Sequence, residues 1–190
     1  MLFRSVSEQE LRQCFIEAIK NTDYHYSIET PTEIKFRIKG GQDISGNLDL
    51  CLHSEVDNSL KREICIEFKA HNMSSSYLND LLKTTREHGN NLYYHLLESS
   101  DNGTLTSTSI RGKGLLVKLE EDLQTIDVNE INSESLTIAI ACLSPRLLIY
   151  QRFSKDSLQK RNYNIMDFKY HIERKKLDIL DAMSWSVLIK

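Results

Sequence analysis

The stretch ICIEFKAHN, Ile64 to Asn72, decides how the chain is read. Its first half alternates, with Ile64, Ile66, Phe68 and Ala70 on one face of a strand and Cys65, Glu67 and Lys69 on the other. One face is made for a core, while the second sets a carboxylate beside an ammonium. Just upstream, GNLDLCLH (46–53) repeats the pattern, with Leu48, Leu50 and Leu52 against Asp49, Cys51 and His53. The polar run SEVDNSLKR between them is short enough for the two strands to pair as an antiparallel hairpin. Directly opposite residues of such a pair point to the same face. With the turn centred on Asn58, Asp49 faces Glu67 and Cys51 faces Cys65, and Lys69 lies two residues farther along.

Working outward, the chain reads as a single α/β domain with a mixed sheet. Ser7 and Glu10 have capping-box spacing, and Leu11, Phe15, Ala18 and Ile19 follow at helical spacing, which predicts a helix over 8–20. EIKFRI (33–38) alternates as a strand closed by Gly40-Gly41. Beyond the hairpin, three serines precede a helix predicted over 76–88, ended by Gly89 and two asparagines, and NLYYHLLES (91–99) reads as a strand. Helix, three strands, helix, strand make a core over about 8–98, with additions over about 104–190. The additions are a helix on Leu115, Leu116, Leu119 and Leu123, a hairpin of LTIAIACL and RLLIYQRF around Ser144-Pro145, and a tail helix from Ile165 to Met183. There is no internal repeat and no low-complexity tract.

A chain of 190 residues, 40% hydrophobic and 27% charged, is long enough for a substantial core and has an ordinary globular composition. No apolar run approaches the roughly 20 residues that span a bilayer, and MLFRSVSEQE lacks the apolar segment of a secretory signal. Cys14, Cys51, Cys65 and Cys142 form no CxxC pair and read as reduced thiols of a cytoplasmic protein. A net charge of −3 and a pI near 6.1 exclude coating of nucleic acid by bulk positive charge, since such domains sit above a pI of about 9. They leave room for an enzyme that engages nucleic acid in one local groove. No helix-turn-helix or zinc-finger signature for reading bases is present.

Two like charges directly opposite each other on a sheet are unfavourable, and a divalent cation is the natural neutraliser. Mg²⁺ or Mn²⁺ takes oxygen ligands, usually one or two carboxylates plus waters and substrate phosphate. Such an ion beside a lysine suits phosphodiester hydrolysis, with the metal polarising the phosphoryl oxygen and the ammonium offsetting developing charge.

GNLDLCL followed by EICIEFKA resembles the PD-(D/E)xK nuclease superfamily, which has the restriction-endonuclease-like fold. Its members carry an Asp on one core strand and an Asp/Glu-x-Lys on the next, and the element order over 8–98 is similar to their core. The resemblance implies a metal-dependent endonuclease acting on nucleic acid, DNA in the first place. It implies Asp49 and Glu67 as metal ligands, the Phe68 carbonyl as a third, and Lys69 serving the attacking water. An acid from the first helix often joins, and Glu17 is the candidate. The chain departs from the pattern in having Leu48 where a proline commonly precedes the Asp. Asp43 shares the parity of Asp49 and is the alternative ligand, though Gly46 interrupts the strand between them.

Other groupings are set against plainer readings. Cys51, His53 and Cys65 share a hairpin face as soft ligands for Zn²⁺, or are two small buried thiols beside a polar residue. Asp80, Lys83 and Glu87 align on the second helix as a solvated stripe, or as support for the site. His71 and Asn72 follow Lys69 and are candidate substrate contacts. Lys160 with RNYN (161–164) and ERKK (173–176) are candidate phosphate contacts or plain surface. Cutting both strands calls for two sites, so a homodimer is expected, built on the tail helix with Phe168, Ile172 and Ile179. The alternative function is a non-catalytic module of the same fold within a nucleic-acid-processing or defence assembly.

Overall fold

The two faces of the hairpin meet different neighbours, and this follows from the alternation itself. The computed structural model describes residues 6–37, 43–70, 77–99, 102–109, 112–144, 146–165, 169–173, 176–181 and 186–189. Helix α1 (Glu8–Ile19) leads into β1 (His25–Pro31), a ribbon of β2 (Phe36–Arg37) with β3 (Asp43–Ile44), and the long hairpin of β4 (Asn47–Val56) and β5 (Ser59–Ala70). Helix α2 (Leu78–Arg86) and β6 (Asn90–Ser99) follow. Next come α3 (Asn102–Thr106), a ribbon of β7 (Thr108–Ser109) with β8 (Gly112–Lys113), and α4 (Leu115–Thr125). β9 (Ser135–Ser144) and β10 (Leu147–Ser154) form the expected second hairpin, followed by the short α5 (Lys155–Gln159). Three further strands are β11 (Lys169–Glu173), β12 (Lys176–Asp181) and β13 (Ser186–Ile189).

Seven strands form one mixed, mostly antiparallel sheet in the order β1-β4-β5-β6-β9-β10-β13, flanked by helices. Only the β5–β6 and β6–β9 pairs are parallel. Helix α1 starts at a capping box, in which Ser7 Oγ accepts the Glu10 N–H and the Glu10 carboxylate accepts the Ser7 N–H. Its Leu11 and Ile16 pack on Leu50, Leu52, Ile66, Phe68 and Leu96, the apolar face read from the sequence. The opposite face is covered by α2 and α4, whose Leu81, Leu115 and Leu119 meet Tyr93, Ile138 and Ile140. Glu67 and Lys69 therefore project towards a helix layer and not into open solvent.

The register of β4 and β5 is set by two local features. Asp57 (φ 51°) and Asn58 (φ 60°) form a two-residue turn with both residues left-handed, the geometry that matches strand twist and favours Asp and Asn. Val56 then faces Ser59, a register that, carried on unbroken, would set Asp49 opposite Ile66. Between Leu52 and His53 the pairing shifts, since Leu52 faces Ile64 while His53 faces Arg62, leaving Glu63 as a bulge. The shift restores Cys51 opposite Cys65 and Leu50 opposite Ile66, the last pair before Asp49 and Glu67, in the register that the sequence reading expects.

Two expected elements differ. The first strand is β1 at 25–31, not EIKFRI, of which, among the described residues, only Phe36–Arg37 joins the short ribbon. β1 is an edge strand along β4, with Tyr26 and Ile28 exposed, so its alternation carries little apolar signal. Among the described residues of 165–183 the tail forms no helix but the β11–β12 strand pair, in which Ile172 faces Leu177 and Tyr170 faces Ile179. Tyr170, Ile172, Leu177 and Ile179 also fit a period of two on either side of the polar sequence 173–176, and pairing outcompetes the weaker helical spacing. The dimer helix built from Ile172 and Ile179 is thus absent, and Phe168 and Met183 lie outside the described residues. Among the described residues no helix is long and apolar enough to cross a membrane.

Gly89 connects α2 to β6 with φ +100°, and a Cβ there would lie 2.3 Å from the carbonyl oxygen of the bulged Glu63. Neither the backbone conformation nor the space admits a side chain. Gly89→Ala is expected to lower stability by about 2 kcal/mol or more in urea unfolding. An unchanged unfolding midpoint would show that the bulge and this connection are not packed as described.

Candidate active site

Helix α2 crosses the charged face of β5 and presents Asp80 and Lys83, one turn apart, to Glu67 and Lys69. Glu67 is the most enclosed charged group there, with its side chain only 1% exposed. Its Oε2 accepts a hydrogen bond from Lys83 Nζ at 2.6 Å, while Oε1 is buried with no partner. The same ammonium donates to the Asn47 carbonyl at 3.0 Å and lies 3.5 Å from Asp80 Oδ1. Lys69 turns to the other oxygen of Asp80, at 3.3 Å, and to Glu8 Oε1 of α1, at 3.7 Å. Asp80 thus bridges the two lysines.

Asp49 is held differently. Beyond the Leu50–Ile66 pair, its Oδ2 accepts the Phe68 backbone N–H at 2.7 Å, so a side chain takes a place that a strand carbonyl would fill. Arg12 of α1 donates to the Asp49 carbonyl at 3.3 Å, and its guanidinium also pairs with Glu29.

Electrostatics follow from this enclosure. Burial, reinforced by the Asp49 charge, raises Glu67 to about 9 even with Lys83 against it. Burial also raises Asp49, although the Phe68 N–H and the two lysines pull it back. Burial would lower Lys69, yet Asp80 and Glu8 outweigh it, and the ammonium is raised. The site therefore keeps its lysine charged and makes its innermost carboxylate reluctant to ionise.

Glu67 and Lys69 share the α2 side of β5, and the Asp49 carboxylate reaches β5 at the Phe68 N–H; Leu48 departs from the expected face, packing with Cys51 and Cys65 instead of with Leu50 and Leu52. The Phe68 ring lies on the α1 side, against Phe15 and Tyr94. Glu17 is corrected: it is exposed and pairs with Lys20, while the acid that α1 supplies is Glu8. Nine residues at about 100° each turn a helix to its opposite face, which separates the two glutamates. Asp43 lies in the separate β2–β3 ribbon, which leaves Asp49 as the acid on the strand beside Glu67. Cys51 and Cys65 are buried opposite each other, whereas His53 lies past the bulge and bonds Ser27 Oγ at 2.8 Å, so the Zn²⁺ trio does not assemble. Among the described residues no group of three or more His, Cys, Asp and Glu side chains is placed to hold a metal ion. Arg161 donates to the carbonyls of Gln124 and Ile126, which ties it to the fold, while Lys160 pairs with Asp156 on the exposed surface. His71, Asn72, Arg174 and Lys175 lie outside the described residues.

The stripe on α2 divides. Asp80 and Lys83 belong to the site, while Glu87 is buried with Arg62 at 2.7 Å and accepts the Ile34 N–H. The sequence signal was the stripe itself; what it lacked was the charged strand face beneath it. Comparison with protein-family models, curated proteins and solved structures finds no match.

The burial of Glu67 has a measurable consequence. Between its ordinary 4.5 and about 9, the folded protein holds a proton on Glu67 that the unfolded chain releases. Stability from this group is complete below the lower value and is lost as pH rises through the upper one. Glu67→Gln removes that loss while keeping the shape. Urea unfolding without divalent metal, at about pH 5.5, 7 and 8.5, is expected to favour the variant increasingly over wild type as pH rises. A difference that stays flat or runs the other way contradicts the buried setting of Glu67.

Proposed function

We propose that the protein is a metal-dependent endonuclease of the PD-(D/E)xK, restriction-endonuclease-like kind, hydrolysing phosphodiester bonds of DNA. The observation that carries the reading is a pair of carboxylates on adjacent strands, Asp49 and Glu67, with one Glu67 oxygen buried and unpartnered and Lys69 on the same face. A buried acceptor left without a donor is costly, and a cation is one partner that would satisfy it. The order α1, β1, β4, β5, α2, β6, with β6 parallel to β5, further supports the likeness of fold.

The donor set fits Mg²⁺ or Mn²⁺, which need only one or two protein carboxylates. Asp49 and Glu67 would hold the ion, with the Phe68 carbonyl a further oxygen between Glu67 and Lys69. The ion would supply Lewis acidity at the phosphoryl oxygen and a more acidic bound water. The chain does the rest. The Phe68 N–H fixes Asp49, and Glu67 gives up its proton on becoming a ligand, which ties activity to rising pH. Lys69, kept charged by Asp80 and Glu8, serves as an electrostatic clamp on the phosphate and not as a base. Two copies would serve the two strands of a duplex, in a homodimer whose surface is not the tail helix first expected.

A second reading, a non-catalytic module of the same fold, is favoured by the near-complete enclosure of Glu67 beneath Lys83. Supercoiled plasmid decides between them. Incubation with Mn²⁺ or Mg²⁺ is expected to give nicked or linear product, with Lys69→Ala lowering the rate by about a hundredfold or more without unfolding the protein. Cleavage by Lys69→Ala at the wild-type rate, or no cleavage by wild type with either metal, contradicts the nuclease.

A further inference from the structure

We infer that Lys83 is the resident cation of the carboxylate site and that a divalent ion enters by displacing its ammonium. This rests on the metal site proposed above and adds what must leave when the metal arrives. Three oxygens from three segments surround Lys83 Nζ: Glu67 Oε2 at 2.6 Å, the Asn47 carbonyl at 3.0 Å and Asp80 Oδ1 at 3.5 Å. An all-oxygen setting of carboxylate and carbonyl is what a hard divalent cation also takes, at shorter distances of about 2.0–2.6 Å. On the enclosed Glu67 carboxylate, an ammonium on Oε2 and a divalent cation at the unpartnered Oε1 would repel each other far more strongly than in water, which favours departure of the ammonium.

The geometry also supplies the means of exit. Lys83 reaches Glu67 from α2 along a flexible four-carbon stem, and its side chain keeps 13% of its surface in solvent while that of Glu67 keeps 1%. Asp80, one turn earlier on the same helix, offers the departing ammonium a second carboxylate that is more exposed than Glu67, at 14% against 1%. Lys69 is already engaged with Asp80 and Glu8 and contacts Glu67 through neither, so Lys83 alone among the two lysines blocks that carboxylate. The ammonium lets the buried acid fold without metal and makes the metal-free site a closed one.

Two measurements on the full chain test this. Mn²⁺ titrations followed by melting temperature and by heat of binding, at about pH 8, compare wild type with Lys83→Met, which keeps the stem and drops the charge. The variant is expected to bind Mn²⁺ about tenfold more tightly or better. Wild type itself supplies the second measurement, so the outcome does not hang on the folding of the variant. Brief acetylation with an active ester, read by mass spectrometry, is expected to show labelling of Lys83 rising severalfold on Mn²⁺ addition while that of exposed Lys61 stays constant. Mn²⁺ binding with equal or weaker affinity in Lys83→Met, or Lys83 labelling unmoved by bound Mn²⁺, overturns the displacement and leaves the metal site standing. Failure of Mn²⁺ to bind either protein overturns the metal site, and the displacement with it.

Discussion

Between Leu52 and His53 the pairing of β4 with β5 slips by one residue, and every polar arrangement in the site depends on that slip. Side chains alternate across a strand, so a register error of one moves a whole set to the other face. With the Asp57-Asn58 turn alone, Asp49 would fall opposite Ile66, and the acid would lose its counterpart. The bulge at Glu63 corrects the register, and Gly89 fits against its carbonyl where no other residue has room. Asn91 braces the same region, accepting the Cys65 N–H and donating to the carbonyls of Thr84 and Glu87. One side chain thus ties β5 to the end of α2, the helix that carries Asp80 and Lys83.

The second constraint is the burial of charge. An isolated carboxylate as enclosed as Glu67 would not stay ionised without a partner, and both answers are present: a raised proton affinity and an ammonium in contact. Replacing such a group by a hydrocarbon commonly costs a fold nothing, so the arrangement is poor value as a stabilising device. Such an arrangement is consistent with the proposed site, in which opposed charges would await a cation and a phosphate. Lys69, Asp80, Lys83 and Glu67 form one chain of contacts, so a change at any of them is felt by the others.

Much of this was legible before the fold was known, and for physical reasons. The two-residue alternation of 46–53 and 64–70 carried the hairpin, its Cys51–Cys65 and Leu50–Ile66 register and the shared side of Glu67 and Lys69, but not the turning of Leu48 towards the cysteines. The capping box at Ser7 and Glu10 carried α1, and the leucine spacing carried α4. Legibility failed where alternation is masked or ambiguous: at β1, an edge strand with its apolar residues exposed, and in the tail, where the same residues fit periods of two and of about 3.6. The bulge left no mark in the sequence, and the assumed turn centre reached the right register without it. The sequence names Glu17 as the acid of α1, because nothing in one helix says which turn reaches the neighbouring strand. Lys83 and Asp80 were visible as a stripe, but their function depends on what lies beneath α2, and that is a tertiary fact.

In the proposed site, Asp49 and Glu67 would together hold a cation, and Lys83 would close the site when no metal is bound. The most direct measurement is a crystal structure of the protein in Mn²⁺, recorded with anomalous scattering. The account predicts an anomalous peak bounded by the Asp49 and Glu67 carboxylates, with Lys83 Nζ moved off Glu67 Oε2. Lys83 still seated on Glu67 in Mn²⁺-saturated crystals, with no peak between the carboxylates, would contradict it.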